Sequence, residues 1–85
     1  MKESIKAILE EIEGELTRAV EAYPAFNSAH EGFSVLNEEV DELWDHVRVK
    51  PKNRDAEAMQ QEAIQIAAMA LRFAYDVCAV QRGRK

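Results

Sequence analysis

Apolar residues recur in three successive stretches of this chain at alternating steps of four and three, the spacing of one helix face. In the first, from about Glu3 to Ala22, the stripe is Ile5, Leu9, Ile12, Leu16, Ala19 and Tyr23. Gly14 interrupts it at a cost of roughly 1 kcal/mol relative to alanine. Pro24 closes it, because the residue before a proline is pushed out of the α region. The second helix is expected to open at Asn27 or Ser28, where Ser28 and Glu31 have the spacing of a capping box. Its stripe is Phe33, Leu36, Val40, Leu43, Trp44 and Val47. A basic loop, Val49-Lys50-Pro51-Lys52-Asn53-Arg54, separates it from the third, for which Asp55 is the expected N-cap. That helix is expected to run to about Gln81, with Met59, Ala63, Ile66, Met69 or Ala70, Phe73 and Val77 as its apolar stripe. No stretch shows the alternation of a half-buried strand. The fold class is therefore all-α: a three-helix chain forming a single domain over residues 1–85.

Length turns this pattern into a statement about assembly. A domain of 85 residues buries only about 60–65% of the surface its unfolded chain exposes. All three helices carry apolar stripes, so the expectation is an oligomeric helical bundle, a homodimer or higher homo-oligomer. Trp44 and the pair Met59 and Met69 belong in its core or between subunits. The apolar fraction of 47% and charged fraction of 32% fit a folded chain rather than a disordered one. A net charge of −5 argues against nucleic-acid binding through phosphate neutralisation. The tail Arg82-Gly83-Arg84-Lys85 is too short for a nucleic-acid arm. No apolar run approaches the 18 or so residues of a membrane span, and no signal-peptide pattern opens the chain. No membrane association and a cytoplasmic location are the expectations. Cys78 is the lone cysteine, which leaves no internal disulfide and no cysteine-based zinc site. Among Ala and Val it reads as a small buried hydrophobe.

Candidate chemistry lies in the acids. At roughly 100° per residue, Glu39 falls at the edge of the second helix's apolar arc, beside Leu36 and Leu43, with Glu42 on its outer side. Glu38, Asp41 and Asp45 point further away and read as solvated surface. On the third helix Glu62 lies within the apolar stripe between Met59 and Ile66, with Gln65 adjacent and Asp76 on the same side further along. A carboxylate in such a stripe is costly unless it is paired or bound to a cation. Bringing Glu62 to Glu39 and Glu42 gathers three negative charges at one helix–helix seam, which a hard divalent cation such as Mg²⁺ would neutralise. The competing structural account is an ion pair from Glu62 to Arg72 or to a basic residue of another subunit. Glu42 and His46, one turn apart, could share a metal. A di-iron bundle, however, requires Glu-x-x-His on two helices, and here the spacing is i to i+4 and occurs once.

The segments "NEEVDELWD" and, about twenty residues later, "EAIQIAAMALRFAYD" resemble the MazG-like all-α nucleoside triphosphate pyrophosphohydrolases. That family carries Glu-x-x-Glu on one helix and Glu-x-x-Asp on a later one. The first half maps onto Glu39 and Glu42, with Glu38 completing a Glu-Glu pair; the second maps onto Glu62 and Gln65. The resemblance covers roughly residues 30 to 78. It implies Mg²⁺, with Mn²⁺ as an alternative, held by Glu39, Glu42, Glu62 and Gln65, in a bundle built from two or more chains. It also implies hydrolysis of a nucleoside triphosphate to the monophosphate and pyrophosphate, with Glu38 or Glu39 orienting the attacking water. Gln65 departs from the family's aspartate: its amide still offers a carbonyl oxygen but removes one negative charge, for which Asp76 is a candidate substitute. From charge alone, Lys50, Lys52, Arg54 and Arg72 are candidate phosphate contacts. The alternative is a non-catalytic nucleotide- or metal-binding or assembly module on the same fold.

Overall fold

In a computed structural model, described over residues 2–80, every regular element is helical. The expected end of the third helix at Gln81 and the basic tail lie outside the described residues. Helix α1 spans Lys2–Ala22 and α2 spans Ala29–Val47. A 3₁₀ turn at Pro51–Asn53 leads to α3, Ala56–Phe73. The last helix then widens into a π-helical extension, Ala74–Ala79, in which Val80 N–H donates to the carbonyl five residues back, at Tyr75.

Local chemistry explains the boundaries. The Ser28 hydroxyl accepts from Glu31 N–H at 3.1 Å. Glu31 returns the contact one residue earlier than a standard capping box would, accepting from Asn27 N–H at 2.7 Å. Asp55 caps α3, one carboxylate oxygen accepting from the N–H groups of both Glu57 and Ala58. Arg54 Nε donates to the carbonyl of Val47 and fastens the basic loop to the end of α2.

Helix α3 is the centre of the fold: α1 and α2 both pack against it and barely touch each other. Its most buried line is Ile64, Ala68 and Arg72, spaced four apart, and Ala68 has no exposed surface. The expected stripe through Met59, Ala63 and Ile66 is rotated from this line, and Ala63 is exposed. A helix covered on two flanks has an apolar arc wider than one stripe, so spacing alone does not fix its centre. Closest approach to α2 occurs at Gly32, where a Cβ would stand 2.6 Å from Cδ2 of Phe73. Only a residue without a side chain admits that contact.

Coverage by α3 reaches only part of α2's stripe. Leu36, Leu43 and Val47 are half-buried, whereas Phe33, Val40 and Trp44 are exposed, Phe33 and Trp44 by 62% and 59%. Ile5, Leu9 and Tyr23 of α1 are likewise exposed. Cys78 is exposed rather than buried: among the described residues, no element covers that side of the π-helical extension. The accessible surface is 6559 Å², against about 5,100 Å² for a compact monomer of this mass. The radius of gyration, 14.6 Å, likewise exceeds the roughly 12 Å of a compact chain of this length.

Candidate functional site

Glu39 projects from the inner side of α2, one turn after Leu36 and one before Leu43, and Glu62 faces it from the second turn of α3. Glu42, exposed on α2, completes the group: one carboxylate oxygen from each of Glu39, Glu42 and Glu62 lies within 4.8 Å of the others. Burial raises the pKa of Glu39 above the ordinary carboxylate value. The charges of Glu42 and Glu62, a hydrogen bond with Glu42 and the charge of Glu38 all push it further in the same direction. Burial is also the first cause of the raised pKa of Glu62. A hydrogen bond with Glu42 and the Glu42 charge add to it, and His46 opposes it. Glu42 thus lies against both neighbours.

Oε2 of Glu39 is buried and has no hydrogen-bond partner. A buried acceptor without a donor costs about 1–3 kcal/mol, and here it sits beside two further carboxylates. The donor set consists of hard oxygens, the chemistry that suits Mg²⁺ or Mn²⁺ and not a soft metal. The residues therefore fit a divalent cation.

The other sequence candidates fall in three places. Gln65, half-buried one turn after Glu62, lines a cavity that Glu39 also lines. Glu38 is exposed beside Glu39. Lys50, just before the 3₁₀ turn, and Lys52 within it are exposed, and Arg54 is bonded to Val47; among the described residues, no ion pair joins these three to the glutamates.

Arg72 and Asp76 belong to a separate construction. Arg72 Nε donates to Asp76 Oδ2 at 3.0 Å, with the two side chains only 5% and 9% exposed. The remaining guanidinium nitrogens donate to the carbonyls of Ala19 and Tyr23, at the C-terminal end of α1, at 2.9 and 2.7 Å. The guanidinium also lies over the Phe26 ring, and Asp76 Oδ2 accepts from Phe26 N–H. This arrangement caps α1 and ties the α1–α2 connection to α3. It replaces the anticipated ion pair between Glu62 and Arg72. Asp76 also lies fourteen residues beyond Glu62, about 20 Å along a helix. It is not the missing acid of the cluster. Spacing signalled only the i to i+4 pair of Arg72 and Asp76 in this latch; its other acceptors are backbone carbonyls some fifty residues away.

The cavity has a volume of about 700 Å³. It is a trough floored by Gln65, Met69 and Arg72 of α3 and walled by α1 and α2, and the connection from Tyr23 to Asn27 closes one end. Compared with protein-family models, with characterised proteins and with solved structures, the chain matches none. Among the described residues, no helix is long and apolar enough to cross a membrane.

Proposed function

We propose that the chain is a divalent-cation-dependent hydrolase that cleaves a nucleoside triphosphate between its α- and β-phosphates, releasing the monophosphate and pyrophosphate. The observation that carries the reading is Glu39 Oε2, buried without a donor among three converging carboxylates. In this reading Glu39, Glu42 and Glu62 hold Mg²⁺ or Mn²⁺, with the Gln65 amide carbonyl beside them. A cation there supplies charge neutralisation for the phosphate oxygens and polarises water. Glu38, exposed at the edge of the cluster, or Glu39 orients the attacking water and accepts its proton as the phosphoanhydride bond breaks. The family resemblance of the two acidic segments supports the choice of substrate, and the adjoining trough offers room for it.

The working form in this proposal is a homodimer or higher homo-oligomer in the cytoplasm. Phe33, Val40 and Trp44 form an exposed stripe on α2, and the surface in excess of a compact monomer's, about 1,460 Å², is more than the roughly 800 Å² per partner of a stable interface. Gln65 favours a second reading, a module that binds a cation and nucleotide without turnover. Pyrophosphate release from a panel of nucleoside triphosphates with Mg²⁺ or Mn²⁺, run beside Glu39→Ala and Glu62→Ala, decides between them. Turnover lost in both variants supports the hydrolase. Cation binding without turnover on any substrate supports the module.

A further inference from the structure

His46 stands one helical turn after Glu42 on α2, half-buried, and lies outside the group of three carboxylates. Seven residues after Glu39, it returns to within about 20° of the same side of the helix. It therefore shares the α3-facing side of α2 with Glu39, and its charge reaches Glu62 across the seam, opposing the rise in that carboxyl's pKa. Among the described residues, no hydrogen bond or ion pair engages the imidazole. A basic side chain in the last turn of a helix complements its dipole. That benefit needs only a solvent-facing group, whereas His46 turns inward, toward the carboxylates.

Two ligands four residues apart on one helix can hold a single ion, as the paired histidines of His-Glu-x-x-His helices do. Glu42 and His46 have that spacing. The α2 wall of the trough runs through Glu31, Val35 and Glu39, and Glu42 and His46 continue beyond it. A ring that joins the cluster thus backs it from the far side and leaves the trough side open. With an amide at Gln65 the cluster has three strong donors, and an imidazole makes four.

We propose that His46 swings in by a side-chain rotation as a nitrogen ligand beside Glu39, Glu42 and Glu62, and that this ligand makes the site select Mn²⁺ over Mg²⁺. This role rests on the proposed cation site and is independent of the substrate's identity. Mg²⁺ takes oxygen donors and gives up its waters reluctantly, whereas a transition cation gains from an imidazole. Carboxylates, amide carbonyls and water suit both ions, so His46 is the donor that separates them.

The test uses the full chain, stripped of metal and titrated calorimetrically with Mn²⁺ and with Mg²⁺, together with pulsed EPR of the Mn²⁺-loaded protein. Coupling of the Mn²⁺ spin to a ¹⁴N nucleus is expected in the wild type and absent in His46→Gln. His46→Gln should lower Mn²⁺ affinity roughly tenfold and leave Mg²⁺ affinity within about twofold, with helicity in EDTA unchanged. The wild-type spectrum decides the ligand role even where the variant fails to fold. Mn²⁺ that binds without nitrogen coupling and is lost in Glu39→Ala overturns the ligand role and leaves the carboxylate site standing. An equal loss of both cations in His46→Gln overturns the selection. No binding of either ion to the wild type overturns the cation site and the ligand together. Nitrogen coupling in a protein that turns over no triphosphate upholds His46 and overturns only the hydrolase reading.

Discussion

Replacing Glu39 by glutamine keeps the shape of the side chain and removes its charge, so the apo protein should become more stable. Glu39 faces two like charges, each with an oxygen within 4.8 Å. At that distance one pair repels by about 0.9 kcal/mol in water and several-fold more at the dielectric of a protein surface. Salt at 0.1 M screens this moderately over such a short span. Two pairs together give about 1–2 kcal/mol. The new amide also donates hydrogen bonds where Oε2 now has no partner. For a domain of this size each kcal/mol moves Tm by about 4–8 °C, so Glu39→Gln in EDTA should melt roughly 5–15 °C above the wild type. Under the proposed cation binding, Mg²⁺ at a hundredfold excess over its Kd should then add about 2.7 kcal/mol to the wild type. The variant, short of one ligand, gains much less, so the order narrows or inverts. Thermal melts followed by circular dichroism at pH 8, in EDTA and in Mg²⁺, provide the measurement. A variant that melts below the wild type in EDTA, or one that gains as much from Mg²⁺, refutes the strained-cluster account.

Three further outcomes follow from the same geometry. The pKa values of Glu39 and Glu62 are raised above the ordinary 4.5, so the folded apo state binds protons more tightly than the unfolded one. That stabilisation is complete below about pH 4.5 and lost as pH rises through the folded values. Metal-free wild type should therefore lose Tm from pH 5 to 8 more steeply than Glu39→Gln, and parallel curves would argue against it. Arg72→Met should cost about 3–5 kcal/mol in urea denaturation by leaving Asp76 buried and unpaired. Adding Asp76→Leu should recover only part of it, because Ala19 and Tyr23 carbonyls and Phe26 N–H have also lost partners; full recovery would contradict the capping role. The two described glycines should behave oppositely. Gly14→Ala, with only Arg18 Nη1 at 3.7 Å, should stabilise by roughly 1 kcal/mol. Gly32→Ala, driven into Phe73, should destabilise by about 1–3 kcal/mol.

Local signals in the sequence were legible wherever the chemistry was local. Pro24, Ser28 with Glu31, and Asp55 each act on backbone groups within four residues, and each marks a helix boundary where spacing places it. The placement of Glu39 on the flank of α2's apolar arc was legible for the same reason, since helical periodicity fixes direction around one axis. What periodicity does not fix is how many neighbours a helix has. Flanked by α1 and α2, α3 buries the line Ile64–Ala68–Arg72 most deeply, leaving most of the expected stripe half-buried and only its Val77 buried, and α2 leaves Phe33, Val40 and Trp44 outside. Arg72 was legible as a charge one helical turn from Asp76. Its role depends on carbonyls of α1 that three-dimensional packing, and nothing nearer in the chain, brings within reach.

The central position of α3 also sets an order of events in folding. Helices α2 and α3 are joined by the short segment 48–55 and close on each other at a small loop-entropy cost. Helix α1 packs on α3 through contacts distant in sequence, those of Arg72 with Ala19 and Tyr23 spanning about fifty residues. Glu39, Glu42 and Glu62 all belong to the α2–α3 hairpin, whereas one wall of the trough belongs to α1. A partial opening that releases α1 therefore dissolves the trough and spares the arrangement of the three carboxylates.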